Sequence, residues 1–173
     1  IGAAGRLGGG TYAGAITNNA TLIYSGTNAQ TLSGVISGTG ALTQNGSSTL
    51  TLSGNNTYSG TTSVVAGKLL VNGTNSGSGA VSVSSAATFG GIGSVAGNVT
   101  YATGSFAQFT QGSPFTIGGT LTLNNNVVRV SLPTNLSAGV YTLATYTEAG
   151  SSGSVDATPV IDSGSLAPTA TAT

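Results

Sequence analysis

Along most of the chain, short apolar runs alternate in and out with Thr, Ser or Asn, and every few residues a glycine or an asparagine breaks the pattern. "TLIY" (21–24), "TLTL" (49–52 and 120–123), "VSV" (81–83) and "VRVSL" (128–132) all have this form. They are rich in β-branched and aromatic residues at a period of two, the signature of half-buried strands. The intervening "NNN", "NG", "SGSG" and "GG" read as turns, with glycine and asparagine expected to supply left-handed corner conformations. No part of the chain keeps an i, i+3, i+4 apolar stripe, so helices are not expected.

The pattern repeats. "TLSG" stands at 31–34 and again at 51–54, and "YSGT" at 24–27 and 58–61. A glycine opening an alternating strand recurs at Gly60, Gly79, Gly97 and Gly119. Between these points a second apolar run recurs as "KLLV" (68–71), "ATFGGIG" (87–93), "SFAQF" (105–109) and "VVRV" (127–130). A sandwich gives no reason for similar units every ~20 residues, whereas a solenoid does, because each unit is one turn stacked on the last. The predicted fold is therefore all-β, a parallel β-helix with about 20 residues per rung. Residues 1–130 form the rungs, with a repeat core over 31–130, and residues 131–173 form a C-terminal strand-turn-strand cap and an extended tail. About seven rungs at roughly 4.8 Å each predict a rod near 35 Å long.

Composition narrows what such a rod can do. Of 173 residues only six are charged (Arg6, Lys68, Arg129, Glu148, Asp156 and Asp162), net charge is zero, and Cys, His, Met and Trp are absent. With 38% apolar residues and no net charge the chain is expected to fold rather than remain disordered. A Thr/Ser/Asn/Gly surface hydrates but does not repel its neighbours, which favours association. Three scattered cations build no basic patch, so nucleic acid is not an expected partner. Without cysteine there is no disulfide framework or thiol chemistry. No apolar stretch is long enough to span a bilayer, so this segment is not expected to insert in a membrane. A chain that opens on Ile1 and has no methionine reads as a processed product or a fragment.

Residues 49–99 carry a specific resemblance. "LTLSGNNTYSG" (50–60), "AGKLLVNG" (66–73) and "SGAVSVSSAATFGGIGSVAGNV" (78–99) resemble the autotransporter-associated β-strand repeat of bacterial type V passengers. The resemblance implies a right-handed parallel β-helix displayed outside the cell, extracellular or on a bacterial cell surface. It extends in weaker form over about 31–130. The alternating ten-residue strands and aromatic girdles of an outer-membrane barrel are absent from this sequence. The segment "VSLPTNLSAGVYTLATYTEAGSSGSV" (130–155) resembles the strand-turn-strand region that follows the last repeat in such proteins.

Candidate chemistry is sparse. Glu148, Asp156 and Asp162 are the sole acids; two of them facing across a cleft would suit glycoside hydrolysis, but solvated loop acids are the expected reading. "VDATPVIDSG" (155–164) has two Asp without the repeated Gly-Asp pattern of calcium solenoids, and reads as turn-capping. "GRLGGG" (5–10) does not lie between a strand and a helix, so no phosphate loop is expected. No catalytic, cofactor-binding or metal-ligating residue is nominated, and no cofactor. Six N-x-S/T sequences occur, at Asn19, Asn45, Asn55, Asn72, Asn98 and Asn135. Asn55 and Asn72 fall at predicted corners, where their amides are expected to satisfy turn backbone. The Thr-x-Thr pairs (Thr49/Thr51, Thr120/Thr122, Thr145/Thr147 and Thr169/Thr171/Thr173) do not recur on every rung. The tyrosines (12, 24, 58, 101, 141 and 146) follow no single face, so core or cap packing is expected for them.

The expected function is that of a non-enzymatic extracellular structural protein: a rigid rod acting as a surface stalk or a self-assembling fibre subunit. Its partner would be itself, through end-to-end or strand-donating assembly, or the rest of a longer passenger chain. The alternative is an adhesin that binds glycans, matrix or ice through the side of the β-helix.

Overall fold

A computed structural model describes residues 1–131, 142–153 and 160–163, with side chains described except in Val160–Ser163. The chain is a parallel β-solenoid of roughly 20 residues per turn. The one helical element among the described residues is a single 3-10 turn at a corner, Leu7–Gly10.

Three sides make up each turn. The first side stacks Gly2–Ala3, Thr21–Gly26, Ala41–Gln44, Thr62–Val64, Val81–Val83, Val99–Tyr101 and the latter half of Phe115–Thr122. The second stacks Thr11–Tyr12, Gln30–Leu32, Thr49–Leu52, Lys68–Val71, Thr88–Gly91, Phe106–Thr110, Val127–Ser131 and Val160–Ser163. The third is built of short pieces: Ile16–Thr17, Ile36–Ser37, Asn55–Asn56, Thr74–Asn75, Ser94–Val95 and the start of Phe115–Thr122. Every named pairing is parallel. Registers such as Leu22↔Leu42 and Leu32↔Leu52 set like side chains above like.

Alternation puts one edge of each strand into the core. On the second side, Leu50, Leu69, Phe89 and Ala107 form one inward column, and Leu32, Leu52, Val71, Gly91 and Phe109 form another. All of these are buried. Burial of such apolar area, about 25 cal/mol per Å², is what offsets the ordering of the chain.

The corners close at glycine for a reason that differs from the expected one. Gly34, Gly54, Gly73 and Gly93 lie one above another, and so do Gly40, Gly60, Gly79 and Gly97; all but Gly40, which sits over Ala20, sit over a glycine of the turn before. A Cβ on Gly54 would lie 2.3 Å from the Gly34 carbonyl oxygen, and one on Gly79 only 2.0 Å from that of Gly60. No L side chain fits so close a backbone approach. These glycines do not have positive φ. Left-handed backbone is instead found at a different corner, in the column Ala86 (φ 63°), Gly104 (φ 78°) and Asn125 (φ 53°).

The third side shows a second departure. Its ladder is interrupted between Ile36–Ser37 and Asn55–Asn56, and a side chain bridges the gap. The Ile36 N–H donates to Asn56 Oδ1 at 2.9 Å, while Asn56 Nδ2 donates to the Gly54 carbonyl at 3.1 Å. Thus Asn56 points inward and replaces a backbone partner.

About six regular turns, fewer than the seven expected, end near residue 131. Beyond them the register partner jumps to much longer spans, Phe115↔Ala144 and Val130↔Ile161. Ala144–Ser152 and Val160–Ser163 still add in parallel to the stack, with register shifts that mark bulges. Residues 132–141, through which the expected strand-turn-strand cap would run, lie outside the described residues, as do 154–159 and the tail 164–173.

Candidate functional site

The candidate functional element of this chain is the outward face of its sides. On the first side the outward column Thr43, Ser63, Ser82, Thr100 and Thr122 runs in register through successive turns, and Ile23 precedes it. All of these are at least partly exposed. They give this side an uncharged face of hydroxyls and methyls. The Thr-x-Thr pairs do not build it: Thr49/Thr51 lie on the second side, Thr145/Thr147 on the late strand Ala144–Ser152, and of Thr120/Thr122 on the first side Thr122 alone joins the column. Thr169, Thr171 and Thr173 lie outside the described residues.

Charge is confined to a few places. Lys68 and Arg129 both stand on the second side, and the Arg129 guanidinium lies over the Phe106 ring, 4.2 Å from its centroid. Glu148 is exposed on Ala144–Ser152, where Thr120↔Thr147 and Thr122↔Ser152 leave a bulge. That bulge opens a hollow of about 330 Å³ lined by Leu121, Leu123, Tyr146, Glu148 and Ser151. Asp156 lies outside the described residues. Asp162 is placed in Val160–Ser163, on a different sheet from Glu148, and its side chain is not described.

The tyrosines divide between core and surface. Tyr24, Tyr58 and Tyr101 are buried; Tyr12 is half-buried and Tyr146 exposed; Tyr141 lies outside the described residues. The Tyr101 hydroxyl donates to the Phe89 carbonyl at 3.1 Å, and the Tyr58 hydroxyl pairs with Thr62 Oγ1 at 2.8 Å. Burial pushes the Tyr101 phenol well above its ordinary value. Burial also raises Tyr58, with its Thr62 hydrogen bond acting the other way. These groups hold the core and are not presented to a ligand.

The five described asparagines of the N-x-S/T sequences sort into two kinds that the sequence did not separate, and Asn135 lies outside the described residues. Asn19 Oδ1 accepts from the Thr39 N–H at 3.3 Å, and Asn98 Oδ1 from the Thr120 N–H at 2.9 Å, so each clasps the next turn at a corner. Asn45, Asn55 and Asn72 are exposed and their side chains make no hydrogen bond. The expected turn-capping role of Asn55 and Asn72 is therefore filled elsewhere, by buried Asn56 for instance.

Residues 42–71 match the passenger-associated-transport-repeat family. The matched segment covers one and a half turns, from Leu42 on the first side to Val71 on the second. A relative described as "Adhesin BmaC autotransporter", from Brucella suis biovar 1 (strain 1330), is 36% identical over 102 residues. That similarity covers 58% of this chain and 3% of the relative's length. No solved structure matches. The chain carries the autotransporter-associated β-strand repeat, folded as a parallel β-solenoid.

Proposed function

We propose that this chain is a non-enzymatic segment of a bacterial surface passenger, located outside the cell, whose product is its geometry. One observation carries the reading. Parallel pairing runs along the first and second sides through every turn, so each turn is held mainly by its neighbours and the stack behaves as a stiff rod. Six turns at about 4.8 Å give a segment roughly 30 Å long.

The scattered cations give no support to nucleic-acid binding, and no helix among the described residues is long and apolar enough to cross a membrane.

Electron microscopy of the purified chain at micromolar concentration tests this. Short rods or end-to-end filaments are expected; compact particles without an axial repeat would overturn it. A second reading, adhesion through the side of the rod, is favoured by the similarity to an autotransporter adhesin and by the hydroxyl column of the first side. It predicts saturable binding to immobilised glycans that Thr43→Glu and Thr100→Glu abolish. A pure spacer shows no such binding.

A further inference from the structure

We propose that Asn45, Asn55 and Asn72 are acceptors for N-linked sugar. This goes beyond the rod reading and does not depend on it. Of the twelve asparagines whose surroundings are described, five head an N-x-S/T sequence, and all five are exposed. Of the other seven, Asn124 and Asn125 alone are exposed, while Asn18, Asn56, Asn75 and Asn126 are buried. Asparagine in this fold is thus not outward by default. The residue two positions after each of the five (Thr21, Ser47, Thr57, Thr74 and Thr100) is exposed as well, so every pair presents amide and hydroxyl together.

Geometry then separates the five. Asn19 and Asn98 have their amide oxygens held by a backbone N–H of the next turn. The other three have free amides on an anchored backbone. The Asn45 N–H donates to the Tyr24 carbonyl and the Asn72 N–H to the Leu52 carbonyl, both at 2.8 Å. The middle residues Gly46 and Asn56 are buried and Gly73 half-buried, which keeps the flanking groups turned outward. Asn45 stands at the corner between the first and second sides, Asn72 between the second and third, and Asn55 on the third.

In the transfer, Asn Nδ2 attacks the anomeric carbon of an activated sugar phosphate, nucleotide- or lipid-linked. The new N–C bond forms as the C–O bond to phosphate breaks. The phosphate leaves with the electron pair, and one amide proton passes to a base of the transferase. Sugars would give this nearly uncharged surface the hydrated bulk that its six charged residues do not provide.

The test treats the purified, folded chain in two arms. One uses a soluble N-x-S/T-directed glycosyltransferase with UDP-glucose, the other an oligosaccharyltransferase with a lipid-linked oligosaccharide. Intact mass and tandem mass spectrometry locate the sugar, and the arm that reacts identifies the donor class. Modification is expected at Asn45, Asn55 and Asn72, about tenfold faster than at Asn19 and Asn98, whose hydrogen bonds must first break. The triple variant Asn45→Gln, Asn55→Gln, Asn72→Gln alters no hydrogen bond, so it folds as the parent does and loses the fast mass shift. No sugar in either arm, equal rates at all five sites, or a shift that survives in the triple variant would overturn the proposal.

Discussion

The second to fourth turns, residues 21–75, and the turns that follow them, 81–131, fill the same three-sided core in different ways. The earlier turns repeat medium-sized aliphatic side chains: Leu32 over Leu52, Leu50 over Leu69, and buried Leu42 and Val64 on the first side. Their register is correspondingly even, with nearly equal steps along the chain from Leu32 to Leu52 and from Leu52 to Val71. The later turns hold an aromatic cluster. Phe89 meets Phe115 edge-on with centroids 5.6 Å apart, and Tyr101 lies 6.2 Å from Phe89. There the turn length varies: the step from Gly91 to Phe109 is short, and that from Val99 to Leu121 is long. Large rings are accommodated by small neighbours: Phe89 stacks on Ala107, and Phe109 on Gly91. An even period comes from repeating the same volume, and an uneven one from pairing large with small.

Phe89→Ala gives the largest effect expected from breaking that difference. It removes the ring that both Phe115 and Tyr101 contact, and should lower the unfolding free energy by about 3–5 kcal/mol. Urea denaturation measures it. If volume pairing is the cause, adding Ala107→Phe to this variant recovers part of the loss; strict additivity would refute the pairing. In the even half, Gly54→Ala is the corresponding break. Its Cβ meets the Gly34 carbonyl oxygen at 2.3 Å, a backbone clash with no side chain to yield, and should cost about 3 kcal/mol. A loss below about 1 kcal/mol, the ordinary propensity cost of a strand residue, would refute the close-approach account.

Alkaline pH acts on both halves, because Tyr58 belongs to the even turns and Tyr101 to the aromatic ones. Each phenol is raised on folding by burial. The unfolded chain then loses these protons near pH 10, while the folded chain keeps them. Their contribution is fully present below pH 10. It falls above that by about 1.4 kcal/mol per pH unit for each tyrosine, until the folded pKa is reached. Tyr101→Phe should reduce the slope between pH 10 and 11 by one such share. An unchanged slope would mean that Tyr101 ionises in the folded core.

Much of this plan was legible in the sequence. The uneven steps from Gly60 to Gly79, Gly97 and Gly119 are those of the register Thr62↔Val81, Val81↔Val99 and Val99↔Leu121 on the first side. The second apolar run, "KLLV" to "VVRV", is the second side. The third side was hidden because its strands are two residues long and carry Asn56 and Asn75, which by composition read as turns. Their inward orientation depends on a backbone gap that only the stacked turns create. The candidate surface was less legible. N-x-S/T spacing is the same at Asn19 and Asn45, and what separates them is a hydrogen bond from Thr39, one turn further along the chain.

The smallest predicted effect has the opposite sign to that at Gly54. Ala86 is an exposed alanine held at φ 63°, in the corner column shared with Gly104 and Asn125. A Cβ in that left-handed region costs roughly 1–2 kcal/mol. Glycine removes this strain but adds unfolded-state freedom, worth about 0.5–1 kcal/mol the other way. Ala86→Gly should therefore stabilise the chain by about 0.5–1 kcal/mol, a rise in the urea midpoint at unchanged slope. The two exchanges differ only in direction, one adding a methyl at a corner and the other removing it. Gly54 is glycine because a carbonyl lies where its Cβ would be, whereas Ala86 stands where φ itself favours glycine. A destabilised Ala86→Gly would show that its methyl packs usefully at that corner, and that both kinds of corner are governed by contact rather than by backbone conformation.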